Sequence, residues 1–252
     1  MQLGSSSLID IHCHILPEVD DGPKSWEVAV EMCRMATADG ITHLVATPHS
    51  NDRYHFDQPY LLGCVERLQS LAGATPKLSL GCDFHLSYDN LQSVLEHPER
   101  YTIAGSRYLL VELSDFSIPV QIGEWFFKLA NTGVTAVITH PERNAILRQS
   151  PQRVCEWVEM GCVVQMTANA LTGFWGQRIQ RVANWLLEHE VVHVVASDAH
   201  DTKHRTPVLS PAKEAISMIC GDEVASALVE ENPRAILEGQ PLPYFPKPAV
   251  KG

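Results

Sequence analysis

The feature that most restricts the fold of this chain is a regular alternation between short apolar runs and longer amphipathic stretches. The seven runs that resemble β-strands cover Leu8–Ile11, His43–Thr47, Lys77–Gly81, Tyr108–Leu113, Ala136–Thr139, Val163–Met166 and Val191–Ala196. Short apolar runs rich in β-branched residues predict strands. Because they are apolar almost throughout and alternate with helices, they are typical of a parallel sheet that is covered on its outer side. We therefore expect an α/β fold.

Helical patterns lie between the predicted strands. Four of them read SWEVAVEMCRMATADG, QPYLLGCVERLQSLAG, GEWFFKLANTG and SPQRVCEWVEMG, and each ends in glycine, the residue that commonly follows a helix. Strands that alternate with helices predict parallel strands with helical crossovers, and seven such units favour a barrel over an open sheet. The 252 residues suit one domain, 1–252, whose Pro-rich tail begins at about residue 240.

Polar side chains stand where the predicted strands end. The runs finish as IDIHCH, VATPHSN, LGCDFH, LLVELSD, VITHPERN, VVQMTANA and VVASDAH. In a parallel barrel these ends face one mouth, where active sites are built. His12 and His14 point to the same side because alternate residues of a strand share a face, whereas Cys13 points away. This common placement favours a metal site over a separate turn, cap or core role for each residue.

Composition narrows the class of function. Thirty acidic residues against nineteen basic ones give a formal net charge of −11, which disfavours nucleic-acid binding because such proteins carry a basic surface. Seven cysteines without C-x-x-C pairs predict reduced thiols in a cytoplasmic protein. No signal-peptide pattern is found, and no apolar run reaches the roughly 18 residues of a membrane span. We expect no membrane span.

The motif set resembles the PHP (polymerase and histidinol phosphatase) superfamily. Its motifs DIHCHILPEVDDGP, ATPHSN, THPERN, TANALTGFWG, SDAH and ENPRAILEG follow one another along nearly the whole chain. VDDGP, HPERN and LTGFWG are similar to the bacterial manganese-dependent protein-tyrosine phosphatases of capsular and exopolysaccharide loci. The resemblance implies a distorted seven-stranded, TIM-like barrel. It also implies a phosphotyrosine-bearing partner, a tyrosine autokinase that controls polysaccharide synthesis and export. A homo-oligomer is left open.

The resemblance further implies a cluster of up to three divalent metal ions. Its ligands divide into His12, His14, Asp198 and a bridging Asp83; Asp83 again with Glu112 and His140; and Asp21, His49 and His200. Imidazole and carboxylate ligands without thiolate suit manganese, iron or zinc, and the resemblance favours manganese. Arg143 and Arg205 match the arginines that hold substrate phosphate. Asp20 is left as a turn residue or a support for a ligand.

One departure from the family pattern leaves alternatives open. Asp83 stands where the family usually has glutamate, so its carboxylate has a shorter reach, and His85 could compensate. This change leaves open a non-enzymatic module with a degenerate metal site. The same metal chemistry also leaves open a small-molecule phosphoesterase, such as a histidinol-phosphate phosphatase. A thiol-dependent mechanism is not expected because no cysteine has an arginine six residues later.

The other histidines are divided between structural and open roles. His43, His97, His189 and His193 lie within or beside predicted helices and strands and are interpreted as structural. His55 and His204 lie in loops near the predicted mouth, where a role in the site is left open. The cysteines are interpreted as small buried apolar residues.

Overall fold

A computed structural model of the protein describes residues 7–248. Within this range there are nine strands: β1 (Leu8–Cys13), β2 (Ile41–Ala46), β3 (His49–Ser50), β4 (Lys77–Leu80), β5 (Asp83–His85), β6 (Tyr108–Glu112), β7 (Thr135–Thr139), β8 (Val163–Thr167) and β9 (Val194–Ala196). They form a three-stranded sheet, β1-β2-β4, and a six-stranded sheet, β3-β5-β6-β7-β8-β9. All neighbouring strands pair in parallel. The predicted α/β fold is confirmed.

Helices connect the strands. They are α1 (Trp26–Ala38), α2 (Gln58–Ala72), α3 (Tyr88–Glu96), α4 (Ile122–Asn131), α5 (Gln152–Glu159), α6 (Ala168–Leu171), α7 (Gln177–Glu188), α8 (Ser210–Cys220), α9 (Asp222–Ser226) and α10 (Asn232–Leu237). Short 3₁₀ turns occupy Pro98–Arg100, Ile103–Gly105 and Leu147–Gln149, and a π-helical turn occupies Ala227–Glu231. The four quoted helical patterns form α1, α2, α4 and α5. Ser25 and Asp57 accept backbone hydrogen bonds at the starts of α1 and α2, as helix caps do.

The predicted ring of seven strands is not confirmed, because two strand paths are interrupted. Pro48 has no N–H to donate, and two residues, Thr47 and Pro48, separate the end of β2 from the start of β3. A similar break at Gly81 separates β4 from β5. Parallel contacts continue across the breaks, since Gly81 N donates to Ala46 O at 2.8 Å and Asp83 N donates to Pro48 O at 3.2 Å. A single bridge, Cys13 to Ala199, connects β1 to the chain beyond β9.

The predicted last strand, Val191–Ala196, is shortened to β9. The His193 ring takes part in the pairing in place of a backbone group, because its Nδ1 accepts a hydrogen bond from Val164 N at 3.1 Å. His193 N in turn donates to Val164 O at 3.0 Å. Regular strand pairing therefore begins only at Val194.

Both faces of the sheets are buried. Along β1, Ile9 and Ile11 contact an apolar cluster that includes Val137, while Leu8 and Cys13 belong to a larger cluster shared with the helices. This double burial explains the near-continuous apolar strands. No helix within residues 7–248 is long and apolar enough to cross a membrane.

The Pro-rich tail has no regular secondary structure from Gln240 to residue 248. Tyr108 Oη donates to Gln240 O at 2.7 Å, and the Asn232 side chain bonds the backbone N and O of Tyr244. Tyr108 is the first residue of β6. The start of the tail therefore lies near the N-terminal end of that strand, away from the polar strand ends. Residues 249–252 lie outside the described range.

Candidate metal centre

The nine predicted ligands gather at the C-terminal ends of the strands. His12 lies in β1, His49 in β3, Asp83 in β5 and Glu112 in β6, while His14, Asp21, His140, Asp198 and His200 lie in the loops that follow β1, β7 and β9. Six of them are buried: His12, His14, Asp83, His140, Asp198 and His200. Of the others, Asp21 is the most exposed, with 47% of its side chain accessible. The parallel topology alone accounts for this convergence.

Three overlapping groups of side chains have ligand atoms within 4.8 Å of one another. They are His14, Asp21, His49 and His200; His12, His14 and Asp83; and His49, Asp83 and Glu112. His49 belongs to two groups because its Nε2 lies 3.5 Å from Asp21 Oδ1 and its Nδ1 lies 3.2 Å from Asp83 Oδ2. Two predicted ligands, His140 and Asp198, lie outside the groups. His140 Nε2 is 3.9 Å from Glu112 Oε1, and Asp198 Oδ1 is 3.5 Å from Nε2 of both His12 and His14. The exact division into three ion positions stays a prediction.

Hydrogen bonds at Nδ1 orient three of the rings. His12 Nδ1 donates to Gln165 Oε1 at 2.9 Å, and His14 Nδ1 donates to Asp20 Oδ2 at 2.7 Å. His200 Nδ1 donates to the Asp198 carbonyl at 3.0 Å. A ring that donates from Nδ1 keeps its lone pair on Nε2 when it is neutral. Metal-binding histidines commonly show this arrangement. All three rings are therefore prepared to offer Nε2 to an ion.

The buried carboxylate of Asp83 lies in an environment that favours a bound cation. Both its oxygens are buried and have no hydrogen-bond partner among the described residues. Burial raises the pKa of Asp83, but His12 and His49 outweigh burial and hold the pKa well below its usual value. A buried, ionised carboxylate that forms no hydrogen bond with the described residues and lies 3.6 Å from His12 Nε2 and 3.2 Å from His49 Nδ1 is an environment that a divalent ion can complete. The residues present therefore fit a metal cluster.

Protons occupy part of this environment when metal is absent. Burial lowers the pKa of His12, but Asp83 and Asp198 outweigh burial and raise it to about 9. The pKa of His49 rises to about 10, since Asp83 again outweighs burial. Both rings are then cations at neutral pH. Because a histidine must be neutral to bind a metal, an ion that binds here displaces these protons.

Two other rings are already neutral at neutral pH. Burial, helped by His200, lowers the pKa of His14 to about 4. Burial, helped by Arg143, lowers the pKa of His140 to about 3. An imidazole in this state binds metal without first losing a proton.

Asp198 connects the histidine cluster to the two predicted phosphate-binding arginines. Its Oδ1 lies 3.5 Å from Nε2 of both His12 and His14. Its Oδ2 accepts hydrogen bonds from Arg143 Nη1 and Arg205 Nη2. Burial raises the pKa of Asp198, but the two arginines hold it well below its usual value. The guanidinium groups therefore lie beside the cluster, separated from it by one carboxylate.

Two of the predicted ligand residues have a backbone φ in the left-handed region. His140 has φ 34° and Asp198 has φ 51°, which costs about 1–3 kcal/mol for a residue other than glycine. Hydrogen bonds hold both in place, because His140 N donates to Gln165 O and Asp198 N donates to His12 O, each at 2.8 Å. Such strain is typical of functional sites. The sequence gives no sign of it.

Gln165 and Glu142 were not singled out from the sequence. Gln165 is buried in β8 and orients His12, and a lone amide in the apolar run VVQMT was a usable signal. Glu142 is fully buried and accepts a hydrogen bond from Thr167 N at 2.9 Å. Its burial raises its pKa to about 7. A charged side chain in the motif HPERN is typical of an exposed position, so the burial of Glu142 and its bond to Thr167 N could not be predicted from the sequence.

The other histidines lie outside the three groups, and one of them, His85, borders the cluster. His43 bonds Ser79 Oγ, His189 bonds Trp185 O, His193 bonds Val164 N, and His97 ends α3. His55 and His204 are exposed. His85 differs from these, since its Nδ1 lies 3.3 Å from Glu112 Oε2. It therefore borders the cluster without belonging to the three groups.

Comparison with protein families gives one match over most of the chain. The model for capsular polysaccharide synthesis proteins CpsB/CapC matches residues 8–238. The tyrosine-protein phosphatase YwqE of Bacillus subtilis (strain 168) is 30% identical over 253 residues, covering 97% of each chain. The tyrosine-protein phosphatase CpsB of Streptococcus pneumoniae is 32% identical over 244 residues, covering 92% of this chain and 99% of that protein.

Solved structures agree with the sequence comparison. A chain from the crystal structures of YwqE from Bacillus subtilis and CpsB from Streptococcus pneumoniae, described as unique metal-dependent tyrosine phosphatases, matches with a TM-score of 0.89 at 29% identity, over 96% of this chain and 98% of that one. The lactonase Lmo2620 from Listeria monocytogenes, at 10% identity and a TM-score of 0.61 over 96% of both chains, shares the fold alone. The predicted family resemblance is confirmed. The chain belongs to the CpsB/CapC family of capsular polysaccharide synthesis proteins.

Proposed function

We propose that the chain is a metal-dependent phosphatase that hydrolyses phosphotyrosine on proteins. The observation that carries the proposal is the contact of Asp198 with the histidine cluster on one side and with Arg143 and Arg205 on the other. This contact puts two permanent cations beside a site suited to divalent ions, as a phosphate dianion requires. The tyrosine-protein phosphatases YwqE and CpsB are relatives over nearly the whole chain.

The proposed ligands are the nine residues of the cluster. We assign His12, His14, Asp198 and Asp83 to one position, Asp83, Glu112 and His140 to a second, and Asp21, His49 and His200 to a third. The nitrogen and oxygen ligands suit manganese, iron or zinc; we propose manganese because of the family resemblance, and metal analysis must separate the three. Bound ions lower the pKa of water and withdraw charge from phosphate oxygens.

The two arginines supply the substrate contact of the protein itself. Each guanidinium can donate two parallel hydrogen bonds to phosphate oxygens. Charge on those oxygens is the main burden in phosphoryl transfer, so fixed cations next to them lower the barrier. Asp198 holds both groups in the site before substrate arrives. Tyrosine leaves readily as a phenolate because its pKa is about 10.

We assign the substrate to a tyrosine autokinase that controls capsular or exopolysaccharide synthesis and export, on the strength of the family. A protein substrate needs an open rim, and Phe116, 96% exposed, lies on the loop after β6. That loop is held beside the chain that carries Arg143, because Asn144 Nδ2 donates to Leu113 O and Ser114 O. A cytoplasmic location is supported by the seven cysteines, all of which are free thiols.

We also propose that residues 1–252 form one domain with a distorted seven-stranded barrel. If β2 with β3, and β4 with β5, are each counted as one interrupted path, the nine strands reduce to seven. The bridge from Cys13 to Ala199, and the hydrogen bond from His14 N to Ala199 O at 2.8 Å, support closure between β1 and the chain beyond β9.

The test is a substrate screen on chelated and metal-reloaded protein. Phosphotyrosine peptides, phosphoserine peptides, histidinol phosphate and single-stranded DNA are compared with manganese, iron or zinc present. We expect turnover of phosphotyrosine peptides that is abolished by chelation and restored by manganese. Preferential turnover of histidinol phosphate would assign the small-molecule alternative. Bound metal without turnover of any substrate would assign the non-enzymatic alternative.

A second measurement on the same protein separates this mechanism from thiol chemistry. Burial raises the pKa of Cys13 and of Cys82 well above the usual range, so neither is a nucleophile at neutral pH. Alkylation of accessible thiols should leave most of the turnover intact. Complete loss in a folded, metal-loaded sample would refute the mechanism.

A further inference from the structure

Trp175 lies against both predicted phosphate-binding arginines. The guanidinium carbon of Arg143 is 4.6 Å from the centre of the Trp175 ring system, and that of Arg205 is 5.8 Å from it. Both distances are within the range of a cation–π interaction, which is strongest with tryptophan. Both guanidinium groups also bond the same oxygen of Asp198. Each arginine is thus held by an aromatic ring and by a carboxylate.

The segment that carries Trp175 is fixed by its own contacts. Gly173 and Gly176 take left-handed φ values of 80° and 86°, which let the chain turn tightly on either side of the ring. Phe174 N donates to Asn169 O at 3.2 Å, and Trp175 packs partly buried against the main core. The Phe174 ring meets the indole edge to face at 5.1 Å. The indole therefore offers the arginines a rigid support.

We propose that Trp175 is a positioning residue that pre-organises Arg143 and Arg205 as a two-pronged phosphate clamp, an inference that rests on the proposed function and extends it. Long arginine side chains lose conformational freedom on binding, and a support that orders them beforehand reduces this loss. An indole covers the flat face of a guanidinium and leaves its N–H edge free for phosphate oxygens. Asp198 alone would hold one edge of each group without fixing its plane.

The clamp acts on the phosphate group whatever alcohol is esterified to it. Loss of the Trp175 ring should therefore weaken the binding of inorganic phosphate and of a phosphotyrosine peptide by similar factors. If the ring contacted only the substrate tyrosine, its loss would weaken binding of the peptide and leave the affinity for inorganic phosphate unchanged. The indole Nε1 is buried without a hydrogen-bond partner among the described residues, so phenylalanine tests the ring without this N–H.

The experiment measures binding of inorganic phosphate to the metal-loaded protein by calorimetry, beside kcat and KM for a phosphotyrosine peptide. We expect Trp175→Leu to raise the phosphate dissociation constant by roughly tenfold, within the range of a lost cation–π contact. kcat/KM should fall by a similar factor, and Trp175→Phe should recover most of both. Trp175→Met is the second ring-free variant if the leucine variant does not fold. Metal content should match the parent.

A matched control is Trp185 on α7, whose ring stacks on His189 rather than on the arginines. Trp185→Leu should leave phosphate affinity within twofold of the parent. Unchanged phosphate affinity in the ring-free Trp175 variants, or no recovery in Trp175→Phe, would overturn the inference. An equal loss in Trp185→Leu would also overturn it. Phosphate binding is measured without turnover, so a failed substrate assignment would be recognised separately as normal phosphate binding without peptide hydrolysis.

Discussion

Side chains that bind no ion orient the proposed ligands. Asp20 does this for His14, because its Oδ2 accepts from His14 Nδ1 at 2.7 Å while its Oδ1 accepts from Gly22 N at 2.9 Å. It also accepts from His49 N at 3.3 Å. One buried carboxylate thus supports two ligands and the turn between β1 and α1. In metal sites such partners commonly matter nearly as much as the ligands themselves.

Replacement of Asp20 by alanine should weaken metal binding and leave the fold intact. The His14 ring would lose the acceptor that fixes its orientation, so metal affinity should fall by about 10- to 100-fold. Titration of chelated protein with manganese, followed by calorimetry, measures this change. Asp89→Ala, on the exposed first turn of α3, is the control. Equal affinity in the two variants would contradict the role of Asp20.

Arg143 provides a prediction that separates substrate binding from metal assembly. Arg143→Ala should lower kcat/KM by about 100-fold or more, roughly 3 kcal/mol at ~1.4 kcal/mol per decade. Arg143→Lys should lie between the alanine variant and the parent, since lysine offers a point charge instead of a planar fork. Arg205 still bonds Asp198 in both variants, so metal content should not change. Steady-state kinetics and metal analysis are run together; loss of metal would instead make Arg143 a support for the ligand Asp198.

At the scale of elements, the loop between β1 and α1 is shaped by a close approach. A Cβ atom at Gly22 would lie 2.5 Å from His14 O, closer than any real contact. Gly22 therefore lets the turn that carries Asp20 and Asp21 fold against the backbone of His14. The sequence VDDGP was sufficient to predict a turn here, but this contact depends on tertiary structure.

Gly22→Ala should displace this loop and with it one proposed ion position. Asp21 lies 3.5 Å from His49 Nε2 and 3.3 Å from His200 Nε2, so a shift of the loop separates the three ligands. We expect the number of bound ions to fall, as measured by metal analysis after dialysis. Gly63→Ala, where a Cβ would meet nothing within 4 Å, is the control. Unchanged stoichiometry in Gly22→Ala would show that the loop tolerates the methyl group.

The positions of the strands could be predicted from the sequence, but their interruptions could not. Strand identity and the polar strand ends followed from the hydrophobic pattern, because most residues of the apolar runs are buried. The breaks at Pro48 and Gly81 were not predicted, although proline marked one of them. The late start of β9 could not be predicted, because it depends on a hydrogen bond from Val164 N to the ring of His193. Side chains that replace backbone partners are visible only once neighbours are known.

For the molecule as a whole, the ionised cluster makes stability depend on pH. The pKa values of His12 and His49, about 9 and about 10 in the folded state, lie above the ~6.5 of an unfolded chain. A raised histidine pKa stabilises the fold fully below ~6.5, and this contribution is lost as pH rises through the folded values. The pKa values of His14 and His140 are lowered in the folded state, so these two histidines make the fold less stable as pH falls below ~6.5.

The metal-free protein should therefore be most stable near pH ~6.5 and lose stability toward pH ~9. Manganese should move the optimum to higher pH, since binding must displace protons from His12 and His49. Urea unfolding at a series of pH values, with chelator or with manganese, measures both curves. Identical pH profiles for the two forms would show that these histidines do not exchange protons for metal.

The pKa values of the cysteine thiols bear on how the protein responds to oxidants. Burial raises the pKa of Cys33 and Cys162 to about 12, and it also raises those of Cys13, Cys82, Cys155 and Cys220. Peroxide attacks the thiolate, and a phosphatase that depends on a cysteine nucleophile is inactivated once that sulfur becomes sulfenic acid. Here no sulfur belongs to the proposed centre. Peroxide therefore meets no thiol nucleophile at the proposed centre, and we expect turnover to persist at a peroxide concentration that inactivates a thiol-dependent phosphatase.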